Sequence, residues 1–274
     1  MVHPRLKQQL QRALESQQFK VHYQPKFHLS SGELQGVEAL LRWRTDAGTW
    51  IAPSAFVPVL ERTGMINDVS AWLLERAAAD AMYWHRHGQN VKRVAVNISP
   101  LQLRESHDRN ALLANCASWR AGGVKLDLEL TESALMPSAG DVVGALDALA
   151  ATNVRIALDD FGTGYSSLSL LARLPVRELK IDRSFVAQLG GSRKAALVVG
   201  AIIRLAREMG LQVIAEGIEN ERQLAHLRQL GCEIGQGFFF SAELNRDDLL
   251  ARLRGAQALP CTAGSDIAPV WAYP

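Results

Sequence analysis

Arg155-Ile156-Ala157-Leu158-Asp159-Asp160-Phe161-Gly162-Thr163-Gly164 is the stretch on which the reading of this 274-residue chain turns. A short apolar run ends in two adjacent acids, and the acids lead into a glycine-broken turn. Such a run is what a buried parallel strand looks like where it opens at one end of a sheet. The pattern recurs on both sides, at Lys20–Leu29, Glu33–Trp43, Val94–Ser99, Leu126–Thr131, Glu178–Ile181, Gln212–Glu219 and Glu233–Phe240. Eight such runs alternating with helical patterns give an α/β chain with a mainly parallel sheet. A (β/α)8 barrel fills about 250 residues as one unit. The first two runs are joined only by Ser30–Gly32, too short for a crossover, so they are expected to pair antiparallel. The fold expected is therefore a modified (β/α)8 barrel with an antiparallel N-terminal strand pair.

Helix ends can be read between the runs. Ser138 stands three residues before Asp141, just after Pro137, and Asn220 stands three before Gln223 in a helix that should close at Gly231. Val198, Ile202, Leu205 and Met209 form one apolar stripe expected to face the sheet. Residues 1–254 read as one domain. In 255–274, 10 of 20 residues are Gly, Ala or Pro, so a disordered tail is expected, with Trp271 its one candidate anchor.

The charge balance, 30 Lys+Arg against 28 Asp+Glu, leaves a net +2. It argues against a DNA or RNA polymer and against a polybasic membrane contact, and leaves room for a small anionic ligand. The longest uncharged apolar run, Ala195–Ile203, falls far below the ~20 residues a bilayer requires. The N-terminus lacks the apolar core of a secretory signal. Cys116, Cys232 and Cys261 have no metal-like spacing and make an odd set, so reduced packing cysteines in a cytoplasmic protein are expected.

Polar residues sit at the strand ends: Glu38, Asn97, Glu129, Asp159, Asp160, Lys180, Glu216 and Gln236. Taken singly, each reads as a solvated strand-end residue. On successive barrel strands they would converge at one mouth. Two carboxylates about 4 Å apart repel by roughly 4 kcal/mol at an effective dielectric of about 20. Two divalent cations and Lys180 would balance the five acids. An all-oxygen donor set favours Mg²⁺ or Mn²⁺ over zinc. Adjacent Asp159 and Asp160 would point to opposite faces of a regular strand, but at a strand end both can be re-aimed, one bridging two ions. Such a pair of ions suits attack of water on a phosphodiester. Ca²⁺, with longer and looser bonds, is expected to inhibit while still admitting substrate.

The motifs carry a resemblance. EALLRW (Glu38–Trp43) is similar to the signature of EAL-domain cyclic di-GMP phosphodiesterases. So are YQP (Tyr23–Pro25), VNIS (Val96–Ser99), LELTES (Leu128–Ser133), DDFGTGYSSL (Asp159–Leu168), LKID (Leu179–Asp182), AEGIE (Ala215–Glu219) and GQGF (Gly235–Phe238). The likeness runs from about Leu6 to Arg254. It implies a barrel that linearises cyclic di-GMP to 5′-pGpG at two divalent ions. Glu38, Asn97, Glu129 and Asp159 match ligands of one ion, and Asp159, Asp160 and Glu216 ligands of the other. Lys180 matches the lysine that orients or helps deprotonate the attacking water, with Asp160 and Glu216 beside it as catalytic acids. Gln24 and Arg42 match substrate contacts, and Gln236 a residue near the water and ions. Glu132, with Glu219, matches a support for the loop Gly162–Ser167, the glutamate holding that loop against the ion site and a dimer contact. A homodimer stays open.

Two positions depart from the family pattern. Glu243 stands where a proline is usual and is expected to alter packing or the substrate rim, and Leu60 replaces a small residue, a packing matter. Asp160-Phe161-Gly162 has the letters of a kinase motif, but the other kinase elements are missing. The alternative of another class is a non-catalytic EAL-domain cyclic di-GMP receptor or protein-interaction module. Such domains lose metal ligands or the loop after the paired aspartates, whereas here both are intact. No cyclase or receiver motif accompanies the domain, which leaves open a stand-alone protein or a piece of a larger one.

Overall fold

In β1 (Phe19–His28) and β2 (Leu34–Arg44) the antiparallel hairpin forms as expected, with Gln24 opposite Glu38 and Lys20 opposite Arg42. The structure is a computed structural model that describes residues 4–119, 123–132, 139–163 and 168–255. Chain order continues through β3 (Trp50–Ile51), β4 (Arg93–Asn97), β5 (Lys125–Thr131), β6 (Arg155–Phe161), β7 (Glu178–Ile181), β8 (Gln212–Ala215) and β9 (Ile234–Gly235). From β2 and β4 through β9 the neighbours pair in parallel, and β9 meets β1 antiparallel at Phe27 and Gly235. The β1–β2 pairing closes the ring, so eight strands form a barrel and β3 extends β2 as a side branch. The modified (β/α)8 barrel is the observed architecture. The short strand β3 went unread because two residues carry no periodicity.

Two runs form less ladder than expected. The run at Glu233–Phe240 pairs only over Ile234–Gly235, because the chain then folds across Ile218. Gly237 has φ +153°, and a Cβ there would lie 2.2 Å from the Ile218 carbonyl oxygen, so only glycine passes. Phe239 N–H donates to that carbonyl at 2.9 Å, and Ile218 N–H to Gln236 O at 3.1 Å. The run at Gln212–Glu219 likewise stops at Ala215, which leaves Glu216 at the open strand end.

The helix Glu221–Leu230 has the expected capping box, with Asn220 accepting from Gln223 N–H, and ends at Gly231 in the left-handed region. The expected stripe on the helix Arg193–Glu208 holds at Ile202, Leu205 and Met209, which pack on the core, and is corrected at Val198, which is 41% exposed; the fully buried face is centred on Ala195, Val199, Ile202, Ile203 and Ala206. That face has the same spacing as the predicted one. Apolar residues surround the first half of this helix, so periodicity alone could not choose the face. The Ser138 cap, the tail from 256 with Trp271, and Cys261 lie outside the described residues. Cys116 and Cys232 are buried and unbridged, and burial pushes both thiols up to about 12.

Apolar residues between strands and helices form the main core, and a second cluster packs Leu10, Phe19, Trp43, Phe56 and Leu60 under the hairpin. Leu60 is fully buried there. Behind the hairpin, Tyr23 donates to Asp80 at 2.8 Å and meets Trp84 edge-on at 4.7 Å. Leu244 exchanges both backbone bonds with Tyr23, at 2.7 and 3.0 Å, strapping the chain after β9 onto β1. No helix among the described residues is long and apolar enough to cross a membrane.

Candidate active site

Parallel register brings the strand-end polar residues to one level. Asn97 pairs with Glu129, and Thr131 with Asp159, so β4, β5 and β6 deliver their acids and amide to the same mouth. Lys180, from the centre of β7, is 1% exposed, and its Nζ reaches four carboxylates. The distances are 2.5 Å to Glu129, 2.7 Å to Glu216, 2.9 Å to Asp159 and 3.4 Å to Glu38. Glu38 also accepts from Asn97 Nδ2 at 2.8 Å and from Gln236 Nε2 at 2.7 Å. Gln236 Nε2 lies 3.0 Å from Glu216 as well. These residues converge from seven strands or their ends.

Adjacent Asp159 and Asp160 both belong to the site because β6 is irregular there, just before it ends at Phe161. Asp160 takes φ +55°, and the β6–β7 register shifts between Leu158 and Phe161. A left-handed residue is uncommon outside glycine, with Asp and Asn the best tolerated. The turn lets Asp160 N–H donate to Asp159 Oδ1 at 2.8 Å and re-aims the second side chain. Oxygens of Asp159, Asp160 and Glu216 come within 4.8 Å of one another, close enough to share a cation.

The local charges pull these groups apart. Burial pushes the Glu216 carboxyl up, and neighbouring Asp159 and Glu38 add to this against Lys180, giving about 8. Burial and Glu38 raise Glu129 to about 7 despite both nearby lysines. Burial, then Asp159, raises Asp160. For Glu38 burial acts upward but is outweighed by Lys180, Lys26 and the two amide donors, which hold it down at about 2. Burial opposes a charge on Lys180, yet the four carboxylates raise it well above the ordinary lysine value.

One member of the cluster escaped the sequence reading. Lys26 is 5% exposed, and its Nζ lies 2.5 Å from Glu129 Oε1. Its even-numbered position on β1, shared with Gln24, was the available signal: residues two apart face the same side. Gln24 lies on the Glu38 face by register and is half-buried. Arg42, four residues beyond Glu38 on the same face of β2, donates to both carboxylate oxygens of Glu243. Glu132 is buried, and its Oε2 accepts from Gly162 N–H at 3.0 Å. Glu219 is exposed, and its described bond is made by its backbone N–H, to Gln223. Residues 164–167 of the intervening loop lie outside the described residues.

The comparisons agree with this geometry. The model of the EAL domain matches residues 7–243. The chain is 41% identical over 246 residues to the bifunctional diguanylate cyclase/cyclic di-GMP phosphodiesterase MucR of Pseudomonas aeruginosa, covering 88% of this chain and 35% of that protein. It is 39% identical over 239 residues to the cyclic di-GMP phosphodiesterase NbdA of the same organism, covering 87% and 30%. It therefore spans about a third of the length of these curated relatives. The solved PaMucR phosphodiesterase in complex with c-di-GMP superposes with a TM-score of 0.82 at 38% identity, covering 89% of this chain and 99% of that one. On a match that takes in nearly the whole barrel, this chain belongs to the EAL domain family.

Proposed function

We propose that this chain hydrolyses cyclic di-GMP to linear 5′-pGpG at a site that takes two divalent ions. The observation that carries the reading is the convergence of four carboxylates around one buried lysine at the barrel mouth, with Asn97 and Gln236 on Glu38 and with Asp160 beside Asp159 and Glu216. The donor set suits Mg²⁺ or Mn²⁺: every candidate ligand is an oxygen, and neither His nor Cys is among them. Gln236 Oε1 is buried without a hydrogen-bond partner among the described residues, an acceptor on the residue whose Nε2 reaches Glu38 and Glu216. Glu38, Asn97, Glu129 and Asp159 would hold one ion, and Asp159, Asp160 and Glu216 the other. When bound, the ions supply charge stabilisation and a water acidic enough to attack phosphorus.

The chain's own residues do the rest. Gln24 and Arg42, on the Glu38 face of the hairpin, bind and orient the dinucleotide at the rim. Lys180 Nζ, at the centre of the ring, donates to the water and holds it in line with the phosphorus. With the ions in place, one proton of the water passes to the carboxylate of Asp160, seconded by Glu216. As the water oxygen bonds to phosphorus, the bond to the ribose 3′ oxygen breaks, and that oxygen takes up the same proton. Glu132, through Gly162 N–H, steadies the turn that presents Asp160. Because the substrate is an intracellular second messenger, the reading carries a cytoplasmic location with it.

Ion replacement tests this. Turnover is expected with Mg²⁺ or Mn²⁺, and Ca²⁺ should retain bound substrate without cleaving it. Full turnover in Ca²⁺ alone, or in excess chelator, would remove the ions from the account.

A further inference from the structure

Arg42 and Glu243 meet at the rim of the mouth although 201 residues separate them. Arg42 Nε donates to Glu243 Oε2 at 2.7 Å, and Nη2 donates to Oε1. The remaining Nη1 donates to the Leu41 carbonyl at 2.8 Å. His22 Nδ1 stands 3.7 Å from Glu243 Oε2. Opposed residues of an antiparallel pair share a face, so Lys20, His22 and Gln24 lie with Arg42, Leu40 and Glu38. Arg42 is therefore on the face that carries Glu38, four residues further toward the open end. The strap between Leu244 and Tyr23 fixes the backbone next to Glu243.

A guanidinium takes a two-oxygen anion through one planar edge, and carboxylate and phosphate compete for the same fork. In Arg42 the Nε–Nη2 edge is filled by Glu243, and Nη1 is tethered to the main chain. Although burial acts the other way, bonds and charge from His22 and Arg42 hold the Glu243 carboxyl below its ordinary value, so it stays an anion. A phosphodiester could take this edge only by displacing Glu243, and would then lie beside a like charge.

We propose that Glu243 is an internal competitor for the phosphate-binding edge of Arg42, and so sets the affinity for the cyclic dinucleotide without entering the bond-breaking step. The proposal rests on the reading of Arg42 as a substrate contact. Steady-state kinetics with Mg²⁺ on Glu243→Gln, Glu243→Pro, Arg42→Ala and the Arg42→Ala/Glu243→Gln pair would test it. Both Glu243 variants should lower KM by about 3- to 30-fold, the range for losing one charge-assisted fork of this exposure, with kcat unchanged. Arg42→Ala should raise KM, and in that background Glu243→Gln should lower it no further. If Arg42→Ala raises KM while the Glu243 variants leave it unchanged or raise it too, Glu243 positions the arginine and the competitor is overturned. If Arg42→Ala leaves KM unchanged, the substrate reading of Arg42 fails, and the proposal with it. Should the parent chain not turn over, dissociation constants for cyclic di-GMP in Ca²⁺ read the same four comparisons.

Discussion

The ammonium of Lys26 lies 2.5 Å from Oε1 of Glu129, while Lys180 lies 2.5 Å from Oε2, so one fully buried carboxylate is clamped between two lysines. Removing one partner of a buried pair typically costs about 3–5 kcal/mol where the other charge is left unpaired, but here Glu129 keeps Lys180. Lys26→Met is therefore expected to destabilise the fold by about 1–3 kcal/mol in chemical denaturation, the cost of one lost buried partner, although Lys26 is no candidate ion ligand. A loss below about 1 kcal/mol, the scale of an exposed pair, would show that the clamp adds little.

Glu38 and Lys180 touch at 3.4 Å but are assigned different work. Glu38→Ala should abolish turnover by emptying one ion site. Lys180→Ala should keep ion and substrate yet lose ~10²–10⁴-fold in kcat, the usual worth of a proton-handling or water-orienting group. Calorimetric titration of Mn²⁺ into both variants separates the roles, and binding lost in Lys180→Ala but kept in Glu38→Ala would exchange them.

Two glutamates three residues apart give a sharper contrast. Glu129 faces the ring, whereas Glu132 accepts from Gly162 N–H at 3.0 Å. Glu129→Gln should weaken ion affinity directly. Glu132→Gln should leave the ligands in place, loosen the turn at Gly162 and lower turnover. Faster hydrogen exchange at Gly162 and Thr163 in Glu132→Gln is the expected signature; unchanged exchange and an unchanged rate would return Glu132 to a passive role.

The pH dependence of stability has a definite sign. Glu129 at about 7 and Glu216 at about 8 hold their protons in the folded chain after the unfolded chain, near 4.5, has released them. The folded state then binds more protons, so stability falls as pH rises from about 4.5 to about 8. Glu38, held at about 2 against an ordinary 4.5, acts only below this window, its contribution being lost as pH falls through it. In chelator, Tm should fall across the upper window, and Mn²⁺ should raise Tm most at its alkaline end. A Tm that rises with pH there would contradict the assignment of these two acids.

Much of this was legible in the sequence because buried strands announce themselves by apolar runs with polar ends. The short link at Ser30–Gly32 could only be a hairpin, and Asp159-Asp160 before a glycine marked a strand end, where Asp160 indeed turns to φ +55°. Other features depended on tertiary contacts. The helix with Val198 is apolar all round its first half, so only packing chose the buried face. The run after Glu233 has the pattern of a long strand, but Gly237 carries the chain across Ile218. Lys26 lies near the far end of β1, two residues beyond Gln24 and away from the mouth, where the rule of polar strand ends at the mouth does not point. The partnership of Arg42 with Glu243 joins the second strand to the strap after the last, a pairing that no local spacing encodes.

The central claim is hydrolysis of a cyclic phosphodiester by water at this mouth. Incubating the pure chain with cyclic di-GMP and Mn²⁺ in oxygen-18-labelled water, followed by mass spectrometry of the separated nucleotides, tests it most directly. The account predicts linear 5′-pGpG with one labelled oxygen in its terminal phosphate. Cyclic di-GMP recovered intact after binding at the same concentration would contradict it and make the chain a receptor for the nucleotide.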